Sequence, residues 1–564
     1  MIKFLEKETI LNTLKPLYGE RSIWVFENIE KLLKKYTSKI QDEEIPLSEK
    51  DVILITYGDN VQKKGQSHLK TLKEFVDTFC TPEINSTHIL PFYPYTSDDG
   101  FSVEDYFKVD KNLGTWKDIS SLAESSYLMF DAVVNHMSKS SQWFQSFLAE
   151  EKGFENFFIA VNPKEDLSKV VRPRALPLLT PFNTKKGDLK HIWTTFSEDQ
   201  VDLNYADPEV FIAVLEVLLF YVSKGAKFIR LDAIAFLWKT IGTNCIHLTE
   251  THSIIKLYKK IIGELTPNLV FITETNVPHE ENISYFGNGF DEADMVYNFT
   301  LSPLLVYSIM KEDVTTLIKW AQSLTFPSNK VCFFNFTASH DGVGVRPLQN
   351  IIPDEEINLL AKRAEKHGGQ VSYKNNEDGS QSPYELNCNY MDLLSAQTDT
   401  DDVRVKKMML TQTVMLAFPG IPGIYFHSLV GSRNYYKGVE DSGIKRRINR
   451  EKLNFDSLQK ELTTSTTLRN KIYSTYKKLL KIRTQEKAFH PFGKTSYTST
   501  NNNKIFIIKR THENEVIFTI FNFSNSTVKM NALVPNAINL LNENKVMSAT
   551  WELSPFQFYW LKEQ

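Results

Sequence analysis

The stretch FIRLDAIAFLWK, residues 228–239, poses a chemical question. Its opening is β-branched and apolar, which predicts a buried strand, yet Arg230 and Asp232 sit two apart inside it. Alternation along a strand sends both side chains to the same face. A charged pair there is costly unless it is paired or used. Other apolar runs end on polar residues in the same manner. FDAVVNH supplies Asp131, Asn135 and His136, and FITETN supplies Glu274. TASHDG supplies His340 and Asp341, and PFYPYTSDDGF supplies Asp98 and Asp99. One aspartate after one strand is commonly a turn or a helix cap. Several such ends gathered on one face would put carboxylates, imidazoles and a guanidinium together, which is equipment for acid–base chemistry.

The elements that must position these residues follow from periodicity. VILITY (52–57), THILPF (87–92), LMFDAVV (128–134), FIRLD (228–232), VFITE (270–274), MVYNF (295–299), FFNFTASH (333–340) and GIYF (423–426) read as strands. Amphipathic segments such as PEVFIAVLEVLLFYVSKGA (208–226) and THSIIKLYKKIIGEL (251–265) lie between them. Strand and helix alternating about eight times over some 400 residues predict an α/β fold, a closed (β/α)8 TIM barrel. A doubly wound sheet is the alternative, but no glycine-rich βα turn supports it. In such a barrel, function gathers at the C-terminal ends of the strands.

Residues 1–50 read as an N-terminal helical extension, with IWVFENIEKLLKKY (23–36) at helical spacing. The barrel is assigned to 51–486. Two gaps, about 137–200 and about 342–405, are too long for plain loops and predict inserted subdomains over one barrel end. From 487 to 564 the style changes. KIFIIKR (504–510) and VIFTIFNFS (516–524) flank THENE and predict a hairpin within a C-terminal antiparallel β domain. TSTNNNK (498–504) reads as a turn.

Composition excludes several classes. A net charge of -3 over 564 residues gives no global attraction to nucleic acid or to an anionic membrane. No apolar stretch reaches the ~18 residues of a membrane span. MIKFLEKETILN interrupts its apolar residues too often for a signal peptide. Cys80, Cys245, Cys332 and Cys388 are scattered with no CxxC pair, which predicts neither a disulfide framework nor a zinc site and fits a reducing cytoplasm. Aromatic residues make up 12%, which suits both a core and the walls of a sugar cleft.

DAVVNH, FIRLDA, FITETN and TASHDG, in this order and strand context, resemble the four signature regions of the α-amylase superfamily, glycoside hydrolase family 13. Within it the chain is similar to the sucrose phosphorylase subfamily, through HILPFYPYTSDDGFSVEDYFKVDKNLGTW (88–116), RPRALPLLTPF (172–182) and GIPGIYFHSLVGSRN with RRINR (420–450). WTTFSEDQVDLNY (193–205), GTNCIHL (242–248), ITETNVPH (272–279) and SPYELNCNYMD (382–392) further resemble the branch that acts on glucosylglycerate.

That resemblance implies an enzyme and its residues. A retaining enzyme breaks a glycosidic bond with a nucleophilic carboxylate and a protonated one about 5–5.5 Å apart. Asp232 matches the family's nucleophile, Glu274 its acid/base, and Asp341 the acid that stabilises the transition state. Arg230 is expected to keep Asp232 ionised by lowering its pKa. His136 and His340 would hold sugar hydroxyls, and Asp98 and Arg446 the far edge of the glucose ring. Arg174 matches a phosphate-contacting arginine, with Arg172 and Arg433 as companions. Phe236 stands where sucrose phosphorylases carry tyrosine, which puts sucrose itself in doubt. Lys239 is then placed to meet an anionic acceptor such as glycerate.

The implied activity is reversible phosphorolysis of a small α-glucoside by double displacement. Inorganic phosphate is cosubstrate, no organic cofactor or metal is required, and a homodimer is expected from the subfamily. The acceptor stays open among glycerate, glycerol, fructose and a sugar phosphate. An α-glucosidase or transglucosidase on the same scaffold is the alternative, and a non-catalytic relative is disfavoured because all three acids are present.

Overall fold

The computed structural model of the protein describes residues 6–41, 46–174, 176–376, 379–498, 500–534, 536–542, 544–546 and 550–563. Eight parallel strands close into a barrel: β1 Ile53–Thr56, β2 Ser86–Ile89, β3 Tyr127–Ala132, β4 Ala226–Leu231, β5 Val270–Thr273, β6 Met295–Tyr297, β7 Cys332–Asn335 and β8 Ile421–Tyr425. Each is one of the eight predicted runs, and neighbours pair in chain order around the ring. Inner-facing side chains fill the barrel and helices cover its outside, so the strands are buried almost throughout.

The register carries the first site residues. β3 and β4 pair with Asp131 beside Arg230, and β4 and β5 pair Arg230 with Ile272. The buried guanidinium therefore has a carboxylate on the adjacent strand.

Of two N-terminal helices, α1 (Lys7–Tyr18) and α2 (Ser22–Tyr36), α2 lies against α3 (Pro208–Ser223), and α1 against the helix Thr249–Gly263 with its Tyr18 ring on Phe211. α2 buries Val25, Phe26, Ile29, Leu32, Leu33 and Tyr36, the stripe its spacing predicts. α3 starts at Asp207, whose side chain accepts from the Glu209 N–H at 3.1 Å, and carries Pro208 at its first position. It is apolar nearly all round because it sits between the barrel and the extension. Tyr18 Oη donates to the Tyr205 carbonyl at 3.1 Å, and Arg21 pairs with Glu209 at 2.8 Å. α4 (Thr249–Gly263) packs its apolar stripe next in the series.

Between β3 and β4 the chain builds a helix (Gln142–Leu148), a hairpin (Leu179–Asn183 with Leu189–Trp193) and the pair His136–Ser138 with Gln200–Asp202. Between β7 and β8 it builds Val343–Gly344, a helix (Asp354–Lys366) and the antiparallel pair Gln370–Asn375 with Gln381–Asn387. Residues of both segments line the cavity at the C-terminal ends of the strands.

A six-stranded antiparallel sheet ends the chain, centred on the hairpin Ile505–His512 with Glu515–Asn522, which turns at Glu513 with φ 49°. The turn read at 498–504 joins this hairpin to the edge strand Lys494–Thr498; its Ser499 lies outside the described residues. Two fully buried arginines join sheet and barrel. Arg483 donates to the Leu416 carbonyl at 3.0 Å, and Arg510, from the sheet, donates to the carbonyls of Ala417 at 2.9 Å and His490 at 2.6 Å. Leu416 and Ala417 end the helix Asp401–Ala417, whose last carbonyls have no intrahelical partner.

Candidate active site

Arg230 sits at the bottom of the cavity with its side chain 2% exposed. Its Nη1 bonds Asp131 and, at 2.7 Å, Asp232; its Nη2 lies 3.7 Å from Glu274. His88 Nε2 meets the other Asp131 oxygen at 2.7 Å. One guanidinium thus gathers three carboxylates, Asp131 in β3 and Asp232 and Glu274 just past the ends of β4 and β5. The chain leaves β4 through Ala233 in the left-handed region, φ 48°, and this turn aims the Ala233 N–H at Glu274 Oε2, 3.1 Å away. A non-glycine residue there stores about 1–3 kcal/mol of strain.

Burial pushes the Asp232 carboxyl well above the usual range, and Glu274 and Asp341 add to this; Arg230 opposes without reversing it. Arg230 thus lowers the Asp232 pKa in the expected direction, and burial outweighs it. Burial raises Glu274 too, again against Arg230. Two raised carboxyls on one guanidinium titrate as a pair and share a proton. Arg230 bonds Asp232 and only approaches Glu274, so the negative charge is favoured on Asp232 and the proton on Glu274.

The other wall is held by a second ion network. Arg446 bonds Asp341 at 2.5 Å and grips Glu385 through two contacts of 2.6 and 3.0 Å. Burial would raise Asp341, but Arg446 foremost, with Arg450, holds it well below the usual carboxylate range. Asp98 accepts from Arg174 at 3.2 Å, and the arginines outweigh burial there as well. Its neighbour Asp99 takes Arg447 at 2.8 Å and Arg450 at 2.7 Å. His340 stacks on Phe101 at 4.7 Å, and burial lowers its pKa to about 3. His136 donates from Nε2 to the Phe101 carbonyl at 3.0 Å, and burial lowers it to about 4. Both imidazoles are therefore neutral at physiological pH. Phe236 faces the cavity edge-on to Phe196, 5.6 Å between centroids.

Asp98, His136, Arg174, Asp232, Phe236, Glu274, His340, Asp341 and Arg446 all line one cavity, with Arg230 beneath it. Three expected residues are not brought there. Lys239 is a correction: its ammonium turns inward, 2.6 Å from Asp202 and 2.9 Å from Asn135 Oδ1, with 3% of the side chain exposed. Asp202 also accepts from the Thr195 N–H and Oγ1, so this is a closed internal ion pair rather than an acceptor contact. Arg433 is likewise corrected: it pairs with Asp392 at 2.5 Å, outside the cavity. Arg172 is exposed and does not line it. Lys239→Ala should destabilise the protein by about 3–5 kcal/mol, since it leaves Asp202 buried and uncompensated. Denaturant melts will check this; a loss under 1 kcal/mol would contradict the pairing.

Gln200, Asn276, Arg346, Tyr384 and Glu385 line the cavity without having been singled out. Asn276 stood in a quoted motif two residues past Glu274, and Tyr384 and Glu385 in another, so position within SPYELNCNYMD was the available signal. Gln200 stood likewise in WTTFSEDQVDLNY, and Arg346 in no quoted motif.

Carboxylates of opposite protonation, neutral imidazoles and arginine-held acids in one buried cavity can bind a polyhydroxylated ring and cleave an acetal. Residues 65–342 match the alpha-amylase catalytic domain family. A glucosylglycerate phosphorylase of Escherichia coli (strain K12) is 43% identical, covering 99% of this chain and 100% of that protein. Another, of Allomeiothermus silvanus, is 47% identical over 86% of this chain and 87% of its own. The crystal structure of sucrose 6F-phosphate phosphorylase from Thermoanaerobacter thermosaccharolyticum superimposes with a TM-score of 0.75 at 22% identity, covering 90% of this chain and 99% of that one.

Proposed function

The chain belongs to the alpha-amylase family, and from that premise we propose that it is a retaining α-glucoside phosphorylase. It converts 2-O-α-glucosyl-D-glycerate and phosphate reversibly to α-D-glucose 1-phosphate and D-glycerate. The observation that carries this reading is the match along the full length of a glucosylglycerate phosphorylase, 43% identical over 99% of the chain.

The reaction runs as two displacements. Asp232 attacks the anomeric carbon while Glu274 gives its proton to the departing glycerate oxygen, leaving a covalent glucosyl-enzyme. Phosphate then attacks from the side glycerate left, Glu274 takes its proton back, and Asp232 is released. Supporting these roles are the 2.7 Å contact of Arg230 with Asp232 and the raised pKa of Glu274. Asp341, held ionised by Arg446, faces the positive charge that develops on the ring. His136, His340 and Asp98 bind its hydroxyls, and Arg174 contacts phosphate. Two carboxylates and phosphate complete the chemistry, so no organic cofactor or metal is required. No helix among the described residues is long and apolar enough to cross a membrane. The four cysteines are buried free thiols, which supports a reducing, cytoplasmic setting.

Incubation with α-glucose 1-phosphate should release phosphate rapidly with D-glycerate and slowly with glycerol, fructose, fructose 6-phosphate or no acceptor. Equal release without any acceptor would instead mark a hydrolase.

A further inference from the structure

The acceptor side of the cavity must receive two anions in turn. Glycerate carries a carboxylate and phosphate one to two charges, and both meet the glucosyl group from the side of Glu274. The cavity's cations can be sorted by what already holds them. Arg174 is paired with Asp98, and Arg446 with Asp341 and Glu385. Arg346 forms no ion pair or side-chain hydrogen bond with the described residues, and its buried Nε has no hydrogen-bond partner. Arg346 is half-buried, and a guanidinium with a buried, unpaired Nε on a cavity wall favours an anion that completes it.

Its position fits. Arg346 follows Val343–Gly344, and Gly344 packs so tightly on Asn276 that a Cβ there would lie 2.6 Å from Nδ2. Asn276 is two residues from Glu274, and its buried Oδ1 also lacks a partner. A guanidinium whose Nε is unsatisfied and an unsatisfied amide oxygen thus line the same cavity as the proton-transferring carboxyl.

We propose that Arg346 and Asn276 form an anion seat, occupied alternately by the carboxylate of glycerate and by phosphate, to which Arg174 adds a contact with phosphate. Arg346 binds the charged oxygens, and Asn276 Oδ1 accepts from the remaining glycerate hydroxyl or from the P–OH. The seat rests on the phosphorylase reading and gives it a specificity device: neutral acceptors leave Arg346 unpaired.

The test uses α-glucosyl fluoride as donor, whose leaving group does not need the seat. Two ratios are measured in wild type, Arg346→Gln and Arg346→Lys: kcat/KM for glycerate over glycerol, and phosphorolysis over hydrolysis. Arg346→Gln should lower both ratios about 10- to 100-fold, the loss of one charged contact, and Arg346→Lys should lower both less. A fall in only one ratio, or parallel losses that leave both unchanged, would overturn the shared seat. A wild-type enzyme indifferent to glycerate would overturn the phosphorylase reading itself, before any variant is made.

Discussion

Asp232→Asn should lower kcat/KM for glucosylglycerate phosphorolysis by at least about 10⁴-fold, the scale on which loss of a covalent nucleophile is felt. The amide has the same shape but cannot form a glycosyl ester. The fold should survive, because Arg230 keeps Asp131 on the neighbouring strand and His88 keeps its hold on the far oxygen. Removing a charge that burial, Glu274 and Asp341 all disfavour should leave the melting temperature equal or higher. Mass spectrometry offers an independent reading. Wild type given α-glucosyl fluoride without acceptor should gain one glucosyl unit, and the variant none. Residual turnover above about 1% of wild type, with the protein shown pure, would move the nucleophile elsewhere.

Glu274→Gln should produce a loss that depends on the leaving group. With glycerate departing as an alkoxide, the variant should lose about 10²–10⁴-fold, the range of general acid catalysis. Fluoride departs without a proton, so formation of the glucosyl-enzyme from α-glucosyl fluoride should suffer far less. The pH profile tests the same residue. The raised Glu274 pKa means that the shared proton stays bound above the ordinary carboxylate range and is lost as pH rises further, so wild-type kcat/KM should fall on the alkaline side of that loss. A glutamine cannot lose a proton there, and the alkaline limb should vanish. Equal losses with both donors and an unchanged limb would assign the proton to another group.

The barrel was legible because its strands obey a local rule: buried parallel strands are continuous apolar runs, and all eight stood out. The residues at their ends were legible for the same reason, since a strand fixes where its last side chain points. Lys239 shows where this stops. It lies beyond the strand in a turn, and its partner Asp202 belongs to a pair formed with His136–Ser138. Nothing local says whether a turn lysine faces the cavity or the interior. Arg346 lay in a segment whose position depends on pairing with residues 381–387, a long-range contact. The net rise of the Asp232 pKa was not legible for a related reason: the Arg230 neighbour is visible in sequence, while the depth of burial is a property of the whole fold.

The helix Asp401–Ala417 leads into β8, and its terminal carbonyls are capped by a guanidinium that the C-terminal sheet owns. Such carbonyls are the negative end of the helix, and a cation there stabilises it. Detaching the sheet would strip this cap and open the interior around Arg483 to water. Sheet and barrel should therefore unfold in one cooperative transition, which calorimetry will read as a single peak. The last residues of the chain, far from any sugar, belong to the thermal stability of the strand from which the chain runs on to Arg446 and Arg450.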